Sequence, residues 1–288
     1  MSQSENRLRV VFADLRRAVD DVILKHQVTL DELLAATAWL GRVADAGQLS
    51  SASILFHKTV VKATEGVPYA HPEKDGASHW EMEGPARIPG SPLLRSPAVL
   101  PMRPDEPGEP LVVSGTVRST TGDPLPGAVL DVWQIDADDV YSGVDSTAFA
   151  PLDIPNDSTG IPTHNLRGRV VADAGGRYEF STVVPGTETF GLPPDGPLSE
   201  LLDALRLDGL RPLHIHSVVS ADGCLPLTTQ IYFDGDPLVV STVEGAIPAD
   251  AVKSTTTHDD PADYRARGLD RPYRALTYDY VLRPARTP

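Results

Sequence analysis

The feature that most constrains the fold is a series of short β-branched runs separated by proline and glycine. Residues 111–117, 128–135, 167–172, 176–183, 213–220 and 227–233 each read as a strand bounded by turn residues. The link Gly122-Asp123-Pro124-Leu125-Pro126-Gly127 is the clearest of the turns. Several short strands at this spacing suit an antiparallel sandwich or barrel, and the 27 Pro and 23 Gly supply its corners. Residues 198–207 predict a short helix inserted before the run at 213. The expected fold class is therefore mainly β.

The first sixty or so residues follow a different period. Val11, Phe12, Leu15, Val19, Val22 and Ile23 recur at helical spacing. Thr29-Leu30-Asp31-Glu32 forms a capping box that opens a second helix, with Leu33, Leu34, Ala36, Trp39 and Leu40 available to bury. Residues 51–63 give a third amphipathic segment. Such apolar stripes need a partner, which the rest of the chain, a second subunit, or both can supply. From 65 to 109 the periodicity stops and prolines dominate, which predicts a long extended connection laid over the core; loops of that length are usually functional or disordered. The expected organisation is a helical region at 1–64, a proline-rich connection at 65–110 and a β domain at 111–288.

Composition excludes several classes of function. A formal net charge of -15 opposes binding to nucleic acid or to anionic lipid. No apolar run approaches the roughly 20 residues that span a bilayer, and the first residues lack the shape of a signal peptide. One cysteine, Cys224, leaves no intrachain disulfide, so a cytoplasmic enzyme is expected.

The chemistry centres on Arg211-Pro212-Leu213-His214-Ile215-His216. A strand points alternate side chains to one face, so His214 and His216 present both imidazoles to the same side. Two neutral imidazoles side by side are half of a metal site.

The chain as a whole resembles the intradiol ring-cleavage dioxygenases, in their catechol and hydroxyquinol 1,2-dioxygenase branch. The resemblance runs nearly end to end. It is carried by Asp31-Glu32-Leu33-Leu34, by Glu83-Gly84-Pro85, and by Gly127-Ala128-Val129-Leu130-Asp131-Val132-Trp133-Gln134. Asn165-Leu166-Arg167-Gly168, Gly176-Arg177-Tyr178, Pro194-Asp195-Gly196-Pro197, the histidine run and Leu227-Thr228-Thr229-Gln230-Ile231 continue it. It implies an intradiol-dioxygenase-like β-sandwich with an N-terminal helical region that makes a homodimer. It also implies a non-haem ferric iron held by two tyrosinates and two histidines, with O2 and an aromatic diol or triol as substrates. His214 and His216 take the histidine positions; Arg211 and Gln230 take the positions facing the substrate.

The tyrosine positions differ. Aligned on Asn-Leu-Arg, the first falls on His164; counted back from Pro194-Asp195-Gly196-Pro197, the second falls on Phe190. The expected metal shell is then His164, His214 and His216, three neutral ligands that suit a divalent ion such as Fe(II), Mn(II) or Zn(II), where the family holds Fe(III). Glu188, two residues before Phe190, is an alternative fourth ligand. Tyr141 and Tyr178 read as core residues or as neighbours of the shell. Without tyrosinate, the metal-loaded protein is expected to lack the red charge-transfer colour of the family. Three functions follow: a ring-cleaving dioxygenase on a catechol- or hydroxyquinol-like substrate, the same fold with Lewis-acid or Fe(II) chemistry on another substrate, or a non-catalytic binder of phenolic ligands.

Overall fold

A computed structural model describes residues 3–149, 156–189, 192–243 and 245–285. Four helices lead the chain: α1 (Gln3–His26), α2 (Leu30–Asp45), α3 (Leu49–Ala52) and α4 (Ile54–Thr64). The capping box at α2 forms as the sequence requires. The Glu32 N–H donates to Thr29 Oγ1 at 3.3 Å, and the Thr29 N–H donates to Glu32 Oε2 at 2.7 Å. The single segment expected at 51–63 is instead divided at Ser53, whose hydroxyl donates to the Ser50 carbonyl at 2.6 Å and competes with the helical ladder.

The proline-rich stretch is less structureless than its composition implies. It contributes β1 (Leu93–Arg95) and β2 (Ala98–Val99), followed by β3 (Pro110–Ser119), β4 (Val129–Trp133), β5 (Arg167–Val171) and β6 (Arg177–Val183). After the two-residue strand β7 (Glu188–Thr189) come α5 (Pro197–Leu205), β8 (Leu210–Arg211), β9 (His214–Ser220) and β10 (Leu227–Phe233). The chain ends through α6 (Leu238–Ser241), β11 (Val252–Lys253), β12 (Thr255–His258), α7 (Pro261–Ala266), β13 (Tyr273–Thr277) and β14 (Tyr280–Leu282).

One sheet runs in the order β1-β5-β4-β9-β10-β11 and the second in the order β12-β13-β3-β6-β2, with β14 also on β3. The two sheets bury a common core. Leu130, Val132, Val170, Ile215, Val219 and Ile231 come from the first; Val113, Val117, Phe180, Leu276 and Tyr280 come from the second. Period-2 alternation then sends Trp133, His214 and His216 to the outer face of the first sheet, where Ala86, Ile135, Tyr141 and Phe149 cover Trp133 in a separate apolar cluster. The functional face is therefore outside the sandwich core, under loops.

Within the second sheet β3 is backed closely by the 278–280 segment. Tyr178 donates its hydroxyl to the Tyr278 carbonyl at 2.6 Å, and a Cβ built on Gly115 would lie 1.9 Å from that same carbonyl oxygen. Only glycine permits this approach. Gly115→Ala is expected to destabilise the protein by about 2 kcal/mol or more, because backbone rather than a flexible side chain must move. Urea unfolding of the two proteins checks this; equal midpoints would contradict the packing described.

Candidate metal centre

Strand register explains how the site is assembled. His216 on β9 lies directly opposite Trp133 on β4 and Gln230 on β10, and His214 lies opposite Tyr232. Residues opposite one another share a face, so these side chains form a row across three strands. The indole of Trp133 stacks on the His216 ring at 4.9 Å between centroids and 10° between planes, which fixes the imidazole plane. Gly84, at φ +73°, lies close to the same ring: a Cβ there would lie 3.9 Å from His216 Cε1.

The third donor arrives from the β7–β8 ladder, which pairs Glu188 with Arg211. The Glu188 carboxylate is buried, and its Oε2 is a hub. Arg211 Nη1 donates to it at 2.6 Å, the Tyr141 hydroxyl donates to it at 3.0 Å, and His214 Nε2 lies 3.1 Å away. Glu188, His214 and His216 each offer a ligand atom within 4.8 Å of the others, the one such group among the described residues. The Tyr141 oxygen also lies 3.0 Å from His216 Nε2, and the two imidazole Nε2 atoms are 3.0 Å apart.

Proton placement shows that this group fits a cation. His214 Nδ1 sits 2.7 Å from the Pro212 carbonyl, which can only accept, so Nδ1 carries a proton. In the neutral ring Nε2 is then a bare lone pair aimed at a carboxylate oxygen. That arrangement calls for a positive charge between them, either a proton or a metal ion. The outer hydrogen bond to a backbone carbonyl is also the usual way a ligating histidine is oriented. Burial, together with the charges of His214, Arg211 and Arg167, holds His216 neutral, as a ligand requires. Two imidazoles and a carboxylate with open positions form the donor set of non-haem iron.

Burial alone would raise the Glu188 pKa, but the Arg211 charge and the contacts with His214 and the Tyr141 hydroxyl prevail and hold it at about 2. Burial and the Glu188 charge push the Tyr141 phenol well above its ordinary value, so it is a hydrogen-bond donor in the metal-free site. Arg211 spans two acceptors, with Nη2 donating to Gln230 Oε1 at 2.9 Å. Gln230 Oε1 also accepts the Tyr232 hydroxyl at 2.5 Å, and its amide donates to the Met82 carbonyl at 3.3 Å.

Of the residues expected from sequence, His214, His216, Arg211 and Gln230 meet at one place. His164 is not in the group formed with Glu188; it is half-buried, its carbonyl accepts the Arg167 N–H at 3.2 Å, and its Nδ1 has no hydrogen-bond partner among the described residues. Phe190 lies outside the described residues. The carboxylate at 188 thus occupies the place beside the two histidines.

Tyr141, read from sequence as a core residue or a neighbour of the shell, has its oxygen 3.0 Å from both Glu188 Oε2 and His216 Nε2. Its path was hidden because Asp136 folds the chain back by accepting the N–H groups of Asp138 and Val140. Arg167 was also missed. It is buried beneath Tyr141, 5.9 Å from the ring centroid, and donates to the Ala86 and Ser142 carbonyls. Burial lowers its pKa to about 10.

Comparison with known proteins agrees with this geometry. Residues 82–284 match the family described as Dioxygenase. A chlorocatechol 1,2-dioxygenase of Rhodococcus opacus is 34% identical over 254 residues, covering 86% of this chain and 90% of the relative. A catechol 1,2-dioxygenase of Acinetobacter baylyi is 30% identical over 280 residues, covering 94% and 82%. The crystal structure of a hydroxyquinol 1,2-dioxygenase from Pseudomonas putida DLL-E4 superposes with a TM-score of 0.71 at 26% identity, over 97% of this chain and 93% of that one. The chain belongs to the intradiol ring-cleavage dioxygenase family. Its class is that of ring-cleaving oxidoreductases, and the family cofactor is a non-haem iron.

Glu188 generates a pH prediction for the metal-free protein. A carboxylate held near 2 in the folded state and near 4.3 unfolded stabilises the fold fully above the unfolded value, and that stabilisation is lost as pH falls toward 2. At pH 7, Glu188→Gln is expected to cost about 3 kcal/mol, since it leaves Arg211 a buried charge without its anion. The difference from wild type should shrink steadily on acidification below about pH 4.5. Urea unfolding across that range checks this; a constant offset would contradict the assignment.

Proposed function

We propose that this protein opens the ring of a vicinal aromatic diol, catechol- or hydroxyquinol-like, using dioxygen at an iron held by Glu188, His214 and His216. Tyr141 is the fourth oxygen or nitrogen donor within reach. The observation that carries this reading is the convergence of two histidines and a buried carboxylate on one point in a chain of this family. The iron supplies the Lewis acidity and electron exchange that ring opening by dioxygen requires. Both oxygen atoms enter the product, so a catechol and one O2 give one muconate-type diacid with no further reductant.

The chain's own residues account for the rest. Burial under the 84–86 segment and the 141–149 turn excludes water and strengthens each polar contact. Arg211 and Gln230 are the proposed substrate-facing pair. Their mutual hydrogen bond and the Arg211–Glu188 ion pair fix the guanidinium plane. A lysine could not span both acceptors, so Arg211→Lys should lower kcat/KM about a hundredfold while His214→Ala abolishes activity.

Oxygen-electrode assays on iron-loaded protein with catechol, hydroxyquinol and substituted catechols test this. The expected result is O2 uptake matching diol loss one to one; no uptake with any of these diols would overturn the proposal. Tyr141 also revises the expectation about colour. With iron(III), a tyrosinate charge-transfer band is expected in wild type and absent in Tyr141→Phe; an unchanged band would remove Tyr141 from the shell.

A second subunit is proposed to cover α1, where Leu8, Phe12, Leu15 and Val22 are all more than half exposed. Light scattering is expected to give a homodimer. No described helix is long and apolar enough to cross a membrane.

A further inference from the structure

Glu188 and Arg211 stand at the two ends of an excursion that leaves the main sheets. The excursion is closed only by the β7–β8 ladder, two residues on each side and paired to neither sheet among the described residues. So short a ladder does not hold its own register in water. Its position must come from anchors along the excursion. One lies at each foot: the Thr189 N–H and hydroxyl donate to Asp139, and backbone hydrogen bonds of 2.7 and 3.0 Å tie Asp208 to Ser241 and Val243.

The third anchor comes from the helical region. Helix α5 is preceded at its N-cap by Gly196, which carries no side chain to cap the first N–H groups. Gln48, just beyond α2, supplies the cap from outside. Its buried Oε1 accepts the Leu198 N–H at 3.1 Å and its Nε2 donates to the Asp195 carbonyl at 2.9 Å. Gly196 is shaped to receive it: φ is +94°, and a Cβ there would lie 2.6 Å from Gln48 Nε2. Trp39 adds a donor, its indole N–H bonding the Pro197 carbonyl at 2.8 Å. The neighbouring Arg42–Glu200 ion pair, 2.8 Å long, is exposed on both sides.

We propose that Gln48 is a positioning residue for the metal centre, holding the excursion so that Glu188 and Arg211 meet His214. The proposal rests on the reading of Glu188 as a metal ligand, and it makes the helical region part of the site's construction. Residues that orient a ligand from outside typically change metal affinity by about tenfold to a hundredfold when removed.

The test compares full-length wild type, Gln48→Ala, Gln48→Met and Arg42→Ala. Iron loss to a chelator is expected to accelerate at least about tenfold in both Gln48 variants and to stay at the wild-type rate in Arg42→Ala. Hydrogen exchange should quicken at the amides of 188–189, 198–205 and 210–211, with those of β3 and β6 unchanged. The unchanged β3 and β6 amides certify folding, and Gln48→Met fills the volume should Gln48→Ala collapse. Faster exchange in α5 with unaltered iron loss would overturn the proposal, since Gln48 would then serve α5 alone. If wild type takes up no iron, the metal reading fails by itself. Exchange at 188–189 and 210–211 then still decides: quickening upholds the positioning role, and no change removes it.

Discussion

One buried carboxylate organises the centre of this protein. Glu188 is surrounded by a guanidinium, a phenol and an imidazole, and its charge survives burial only because all three face it. Taking either ion of the Glu188–Arg211 pair out of water is costly, and that cost is recovered only when the remaining lone pairs and protons are satisfied. The requirement sets the geometry of everything nearby. Arg211 must lie across from Glu188 in the ladder, Tyr141 must be folded back toward it, and the histidine strand must begin where it does.

The charge count gives the arrangement a functional meaning. The family to which this chain belongs supplies two tyrosinates and two histidines to its iron. Here a carboxylate stands beside the two histidines, and a tyrosine oxygen lies within hydrogen-bond distance of that carboxylate and of His216. A carboxylate and a phenolate carry the same total charge as two phenolates, so the set can still balance a ferric ion. Carboxylate and imidazole alone form the set characteristic of ferrous sites. The ferric set requires that Tyr141 lose its proton to the metal, because burial otherwise keeps that proton in place.

Much of this was legible in the residues. The strands stand within a few residues of their turn-bounded runs, because proline and glycine punctuate them sharply. His214 and His216 were legible because two-residue spacing on a strand needs no tertiary information, whereas Gln230 was reached only through the family resemblance, and antiparallel pairing with β9 then sets it opposite His216. The capping box named the start of α2 for the same local reason. What was hidden depends on long-range folding. Glu188, named from sequence only as an alternative fourth ligand, reaches the histidines through its pairing with Arg211, and Tyr141 reaches them through the turn anchored on Asp136. The two edge strands at Leu93–Arg95 and Ala98–Val99 escaped notice because proline breaks their periodicity, yet each pairs in parallel with a strand of a different sheet.

The measurement that bears most directly on this account is anomalous diffraction at the iron edge from crystals of the iron-loaded protein. The account predicts one peak bounded by a Glu188 carboxylate oxygen, His214 Nε2 and His216 Nε2, at distances of about 2.0–2.2 Å typical of such donors. A peak bound through His164 with Glu188 turned away, or no ordered iron between the two histidines, would contradict it.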